Sequence, residues 1–239
     1  MSGPRRSLLS SLLRSTRPLA HANIAPALIF GQALAFAATG RFSWVGLALA
    51  HAFGIVDHLF IVWANDYADR EADAKNETFN LSSGGSRVIP EGRVSPGSIA
   101  IAAVLAGAAL VGIGLAAAIG GRSLMLPLAL AAIRLLWAYS HPPLRLSYRG
   151  GGEILQALGV GVVLPAVGYV AQAGDLGGAP LLAPVPSAVL AWASNVSTGL
   201  PDEPADRAVE KRTRAAVLGG ARARREVLAL STLGIALGA

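Results

Sequence analysis

Three aspartates, Asp66, Asp69 and Asp73, stand in the run N-D-Y-A-D-R-E-A-D that closes a long apolar segment. Their i, i+3, i+7 spacing puts all three carboxylates on one face if that segment continues as a helix. A second acidic pair, Asp202 and Asp206 at i, i+4, follows another apolar segment and leads into Lys211, Arg212 and Arg214. Such carboxylates suit a hard divalent cation, and Mg²⁺ in particular binds through a few carboxylates together with substrate phosphates. Lys and Arg beside each cluster supply the donors that phosphate oxygens need. The two motifs thus point to Mg²⁺ and a phosphorylated ligand held together, which requires their two segments to converge in space.

What must position them is a membrane bundle. Of the 239 residues 53% are hydrophobic and only 14% charged, where soluble domains carry about 25% charged residues; the mean hydropathy is +0.53. The 28 glycines against 6% aromatics favour close approach of helix backbones, as membrane helices prefer. The absence of cysteine excludes disulfides, thiolate metal sites and cysteine nucleophiles. A net charge of +6 does not imply nucleic acid, because the basic residues are dispersed among apolar spans and not gathered on one face.

The chain is read as one all-α domain over residues 1–239, a polytopic transmembrane bundle with six full spans and a partial seventh. The spans run from about Leu19 to Thr39, Trp44 to Ala64, Gly97 to Gly120, Leu124 to Tyr139, Ile154 to Ala173 and Leu181 to Gly199. The last begins near Val227 and reaches Ala239, roughly 20 Å of helix against a ~30 Å hydrocarbon core, so the C-terminus is expected to be incomplete. Asp57-His58 interrupts the second span and is expected to face the bundle interior, either paired there or lining a substrate chamber. Ser82 to Ser86 followed by Arg87 reads as a loop, of a kind that can wrap a phosphate with backbone N–H groups. Residues 139 to 153 form a polar loop whose Pro142 and Pro143 forbid helix continuation. With the N-terminus inside, four Lys or Arg in residues 1–17, four between 70 and 93, two at 145 and 149 and seven between 207 and 225 fall on the inner side. Only Arg41 and Arg122 fall outside, with Arg134 inside a span. This asymmetry predicts an integral protein of the cell (inner) membrane with its N-terminus and both acidic motifs on the cytoplasmic side.

These motifs resemble the UbiA superfamily of intramembrane aromatic prenyltransferases. N-D-Y-A-D-R-E-A-D is similar to the family's first Asp-rich motif, N-D-x-x-D-x-x-x-D, and P-D-E-P-A-D-R-A-V-E-K-R-T to its second, D-x-x-x-D followed by Lys. Tyr139-Ser140 through Arg145 is similar to the family's tyrosine, proline and basic element, and Arg17-Pro18 with Pro26 and Gly31 resembles its first helix. The resemblance covers most of residues 14 to 219. Residues 84 to 96, G-G-S-R-V-I-P-E-G-R-V-S-P, with Tyr148 to Glu153, look most like the branch that prenylates 1,4-dihydroxy-2-naphthoate for menaquinone. The chain departs from that branch at T-G-L-P-D, where Asn-Asn-x-Arg-Asp is usual, and at Glu210, where Gly commonly precedes the Lys.

The resemblance implies Mg²⁺-dependent transfer of a polyprenyl group from an allylic diphosphate to an aromatic acceptor in quinone biosynthesis, with the lipid bilayer as the enzyme's surroundings. Asp66, Asp69, Asp73, Asp202 and Asp206 would hold the metal, which acts on the leaving group as a Lewis acid. Asn65 belongs to the same motif, and Arg70, Arg87, Arg145, Lys211 and Arg212 are candidates to hold diphosphate oxygens. Tyr139 or Tyr67 could stabilise an allylic cation through a ring face. The acceptor is 1,4-dihydroxy-2-naphthoate or, alternatively, 4-hydroxybenzoate or another quinone precursor. A divalent-cation transporter is the non-enzyme alternative. It fits less well, because transport sites lie near the bilayer midplane and not at span ends beside cations. A soluble isoprenyl diphosphate synthase would not need six apolar spans.

Overall fold

The computed structural model describes residues 8–77, 85–180 and 182–238. Arg5 and Arg6, the Ser82-Ser83-Gly84 part of the expected phosphate loop, and the span boundaries at Leu181 and Ala239 lie outside the described residues.

Every described element is helical. A short helix α1 (Leu8–Ser15) and a 3-10 turn (Pro18–Asn23) precede α2 (Ala25–Thr39), which starts with Pro26 in its first turn, where a missing N–H costs nothing. The expected start of the first span at Leu19 thus lies in the 3-10 turn, and the chain bends by 43° between Leu9–Asn23 and Ala25–Thr39. Next comes α3 (Trp44–Lys75), capped by Ser43, whose Oγ accepts from Gly46 N at 3.0 Å. At 32 residues it is roughly 48 Å long, so it outruns the ~30 Å core and carries the first acidic motif beyond the apolar section as unbroken helix. α4 (Pro96–Ile119) follows, capped by Ser95, and then α5 (Met125–Ser140) and the short α6 (Leu146–Arg149).

The fifth apolar segment is one rod of two helices, α7 (Gly152–Leu158) and α8 (Leu164–Ala173), joined by a π-helical turn at Gly159–Val163. Pro165 cannot donate to the helix ladder, and the widened turn just before it takes up that mismatch. Beyond it lie α9 (Pro184–Gly199), two short helices α10 (Glu203–Ala208) and α11 (Arg214–Leu218), and α12 (Gly220–Gly238). The last helix thus starts seven residues before Val227, with Arg222, Arg224 and Arg225 in its first turns.

Helices stand at each of the seven segments expected from the sequence, with Met125–Ser140 a shorter apolar one. Of these, Trp44–Lys75, Pro96–Ile119 and Gly152–Ala173 are each long and apolar enough to cross a membrane alone, and the bent N-terminal pair adds a fourth. α2 packs on α8, α3 on α4 and α9 on α12. Small residues make the first of these contacts possible: a Cβ on Gly31 would overlap the Pro165 carbonyl, and one on Gly168 the Leu28 carbonyl. Leu28, Phe53, Leu110, Met125, Val167 and Val170 are fully buried at the centre. A second apolar cluster joins α3, α4 and α5 through Phe60, Ala103, Ala106 and Leu136. Together these fix α3 as the wall against which the site is built.

Candidate active site

One cavity of about 320 Å³ opens between α3, α5, the α7–α8 rod and α9. Along α3 it is lined by Asp57, Ile61, Asn65, Asp69 and Asp73, a stripe four residues apart at every step, which is what one face of a helix presents. The far side contributes Asp202, Asp206 and Lys211, and the inner half is apolar, with Ala132, Leu135, Leu136, Val160, Val163 and Leu164. A charged end therefore leads into a hydrocarbon-lined chamber.

The two acidic motifs converge on one ammonium. Lys211 Nζ lies 3.1 Å from Asp69 Oδ2 and 3.9 Å from Asp206 Oδ1, and 4.9 Å from the Tyr148 ring centroid. Burial opposes the charge on Lys211, but Asp69 and Asp206 outweigh it and hold the amine protonated well above its usual range. Burial pushes Asp206 up to about 6, against the pull of Lys211 and the hydrogen bond from Thr213 Oγ1 at 2.7 Å. Burial and then Asp69 push the Tyr148 hydroxyl up, so it stays a neutral donor. Asn76 Nδ2 donates to Asp202 Oδ1 at 3.0 Å and ties the end of α3 to the second motif.

Asp66 is buried just behind this stripe. Its Oδ1 accepts from Ser86 N at 3.2 Å and lies 3.9 Å from the Arg17 guanidinium. Asp66 Oδ2 and Asp69 Oδ1 are buried with no hydrogen-bond partner among the described residues. Gly85, at φ +69°, faces the same oxygens. A Cβ there would overlap the Asp73 carboxylate and come within 3.2 Å of Asp66 Oδ1. Buried carboxylate oxygens without partners are costly unless a cation completes them, so these residues fit a small hard cation. Among the described residues no three acidic or imidazole side chains form a closed metal cage.

Several residues expected at the site point elsewhere. Arg70 follows Asp69 by one residue, about 100° round the helix. Its guanidinium lies over the Tyr67 ring at 4.6 Å, donates to the Tyr67 carbonyl at 2.6 Å and pairs with Glu71. Neither Arg70 nor Tyr67 lines the cavity, whereas Tyr139 does. Arg87 donates to the carbonyls of Asp73 and Asn76, closing the C-terminal end of α3, where cations are favoured. Arg145 stacks on Tyr148 at 3.6 Å and reaches the Ala68 carbonyl, beside the cavity and not in its lining. Arg212 is exposed and engages through its backbone N–H, which donates to the Tyr148 carbonyl at 3.0 Å. Asn65 lines the cavity, its Oδ1 accepting from Ser140 Oγ at 3.0 Å.

Other lining residues lay outside the sequence reading of the site. Arg17 enters through a left-handed backbone turn at φ 45°, which folds it back toward Asp66. Asn195 donates to Gln156 Oε1 at 2.9 Å and to the Tyr139 hydroxyl at 3.5 Å, setting the tyrosine at the chamber wall. Asn195 is the one amide in α9, but Ser194, Ser197 and Thr198 beside it make the segment read as ordinary polar helix end, so the sequence does not single it out.

The family model for the UbiA prenyltransferase family matches residues 23–239. No curated protein matches the sequence. Among solved structures, a UbiA homolog from Archaeoglobus fulgidus bound to GPP and Mg²⁺ superposes with a TM-score of 0.71 at 20% identity, covering 95% of this chain and 76% of that one. The same homolog bound to DMAPP and Mg²⁺ gives 0.69 at 21% identity, covering 94% and 75%. An apo UbiA homolog from Aeropyrum pernix K1 gives 0.69 at 18% identity, covering 88% and 75%. At these identities the likeness is one of fold.

Proposed function

The chain belongs to the UbiA prenyltransferase family, and from that premise we propose that it moves the prenyl group of an allylic diphosphate onto an aromatic carbon within the chamber. The observation that carries this reading is one cavity whose charged end holds Asp69, Asp73, Asp202, Asp206 and Lys211 and whose inner half is mostly apolar. The A. fulgidus homolog's complexes with Mg²⁺ and GPP or DMAPP support a prenyl diphosphate and Mg²⁺ as its ligands. We place the chain in the cell membrane as a single domain with its charged end at the cytoplasmic face, on the distribution of Lys and Arg. The acceptor we propose is 1,4-dihydroxy-2-naphthoate, on the resemblance of residues 84–96 and 148–153.

The residues act as follows. Asp66, Asp69, Asp73, Asp202 and Asp206 would hold Mg²⁺, which supplies Lewis-acid neutralisation of the diphosphate leaving group. Lys211 and Arg17 reach the same volume and hold diphosphate oxygens, the first as a point charge and the second through a planar fork. As the bond from prenyl carbon to oxygen breaks, its electron pair leaves with the diphosphate. Tyr139, fixed by Asn195, stabilises the allylic cation. The apolar walls exclude water, which would otherwise take the cation's place for the acceptor. An electron-rich aromatic carbon then forms the new bond, and the ring regains aromaticity by expelling what that carbon carried: a proton at an unsubstituted carbon, or CO2 at C2 of 1,4-dihydroxy-2-naphthoate.

The test is direct. The protein in lipid nanodiscs, given Mg²⁺, a labelled allylic diphosphate and a panel of hydroxylated aromatic acids, should yield a prenylated acceptor and release pyrophosphate, and EDTA should stop both. Absence of product with every acceptor, while the diphosphate still binds in a Mg²⁺-dependent way, would sink the transfer reading.

A further inference from the structure

Asp57 is a carboxyl in the middle of an apolar helix that the transfer chemistry above does not use. It is 2% exposed, it lines the cavity, and its Oδ1 has no hydrogen-bond partner among the described residues. Its neighbour His58 is committed elsewhere, with Nε2 2.6 Å from the Thr16 carbonyl oxygen, so the pair does not satisfy itself. An ionisable group inside a span that is neither paired nor turned to lipid is placed there for a ligand, and a buried acceptor atom without a partner is completed by a ligand donor.

Its position names the ligand group. Along the α3 stripe Asp57 lies eight residues, about 12 Å, inward of Asn65, itself one turn inward of Asp69. A diphosphate at Asp69 and Lys211 puts the reacting prenyl carbon near the level of Asn65. An aromatic carbon in attack position is ~3–3.5 Å further in. In a ring with two hydroxyls opposite each other, the carbon beside one hydroxyl is nucleophilic and the second hydroxyl stands two ring positions away. With a hydrogen bond of ~2.7 Å to follow, the whole reach is about 9–10 Å, within the length of an aspartate side chain of the Asp57 backbone. In 4-hydroxybenzoate the nucleophilic carbon is also beside the hydroxyl, but two positions away stands a carboxylate. Against Asp57 that carboxylate would be a second buried acid, and the two could not both ionise without a large cost.

We propose that Asp57 is the acceptor-specificity residue. It accepts a hydrogen bond from the far hydroxyl of a hydroquinone-type ring and turns away rings that carry a carboxylate at that place. Asn23, on the 3-10 turn, lines the same cavity and is steadied by Ser194 Oγ, which donates to Asn23 Oδ1 at 3.0 Å; it gives the inner chamber a second polar group. The inference rests on the prenyl-transfer reading and narrows its acceptor.

The experiment compares kcat/KM for 1,4-dihydroxy-2-naphthoate, 1-hydroxy-4-methoxy-2-naphthoate and 4-hydroxybenzoate in the wild type, Asp57→Leu and Asp57→Asn, with geranyl diphosphate as donor. The wild type should prefer the free hydroxyl over the methyl ether by about 10- to 100-fold, the size of a hydrogen bond to a charged group. Asp57→Leu should bring that ratio to within about 3-fold and leave the KM for donor and the Mg²⁺ requirement unchanged. Asp57→Asn keeps an acceptor oxygen without the charge, so it should retain part of the hydroxyl preference and gain turnover of 4-hydroxybenzoate. Wild-type indifference to the methyl ether overturns the proposal, and so does a wild-type ratio in Asp57→Leu. If the leucine variant does not accumulate, unchanged exclusion of 4-hydroxybenzoate by Asp57→Asn overturns it equally. A wild type that transfers without discrimination defeats the role of Asp57 alone, whereas one that shows no Mg²⁺-dependent binding of geranyl diphosphate defeats the transfer reading beneath it.

Discussion

Replacing Lys211 with methionine preserves the length of the side chain and deletes its charge. In the folded protein the ammonium is 12% exposed and lies 3.1 Å from Asp69 and 3.9 Å from Asp206. At an effective dielectric constant of about 20, unit charges at such separations attract by roughly 4–5 kcal/mol. Much of that is offset by desolvation, but deleting one partner of a buried pair leaves the other uncompensated, at about 3–5 kcal/mol. The carboxylates limit the loss by taking up protons, so a cost of about 2–4 kcal/mol at pH 7.5 is expected. The pH dependence follows from Asp206. Burial raises its pKa to about 6 in the folded state, above the unfolded value of about 3.9. Its favourable contribution is therefore complete below pH 4 and is lost as pH rises through 6. Without Lys211 that loss grows, so the deficit of Lys211→Met should be largest at pH 7.5 and shrink toward pH 5.5. Millimolar Mg²⁺, which supplies the missing positive charge, should shrink it too. Chemical denaturation of both proteins in detergent micelles, in EDTA and in Mg²⁺ at the two pH values, measures all of this. Equal stability of the two in EDTA at pH 7.5, or a deficit that deepens on acidification, would refute the reasoning.

Asp66→Ala and Asp202→Ala should each abolish prenyl transfer while the protein still inserts, with Asn at either position retaining some Mg²⁺ dependence at best; normal turnover in both alanine variants would return the motifs to solvated surface. Mg²⁺-dependent binding of the allylic diphosphate should weaken as pH falls below about 6, because protons compete for Asp206; titration calorimetry showing unchanged affinity at pH 5.5 would contradict this. Gly85→Ala should impair donor binding at least 10-fold, about 1.4 kcal/mol or more from its positive φ and from overlap with Asp73, and a wild-type dissociation constant would show that the 85–94 turn moves freely. Arg70→Gln should leave transfer within about 2-fold, since its guanidinium is held on Tyr67 away from the chamber; a large loss of kcat would bring that arginine back to the diphosphate.

Much of the candidate site was readable because it lies along helices. The spacing of Asp66, Asp69 and Asp73 put them on neighbouring faces of one helix, with Asp69 and Asp73 lining the cavity and Asp66 just behind, and apolar segment length located α3, α4 and the α7–α8 rod. What could not be read was whatever depends on backbone turns or on partners far away in sequence. Arg87 and Arg145 both have positive φ, and no helical or strand period says where such residues aim. Arg87 ends on the carbonyls of α3 and Arg145 on Tyr148 for that reason. Arg17 reaches Asp66 through a third such turn. The Asn76–Asp202 bond spans 126 residues, and the π turn before Pro165 is a local answer to packing that composition does not announce.

The stripe on α3 acts as a ruler cut into a single rod. Asp57, Asn65, Asp69 and Asp73 share one unbroken helix, so the gap between the acidic end and the inner carboxyl is set by helical rise and by no loop. A one-residue insertion or deletion anywhere between positions 58 and 68 would turn everything on one side of it by about 100° and aim either the acids or Asp57 away from the chamber. On the proposed function, α3 tolerates substitution but no change of length between Asp57 and Asp69, and room for a larger acceptor must come from the walls opposite, on α5 and the α7–α8 rod.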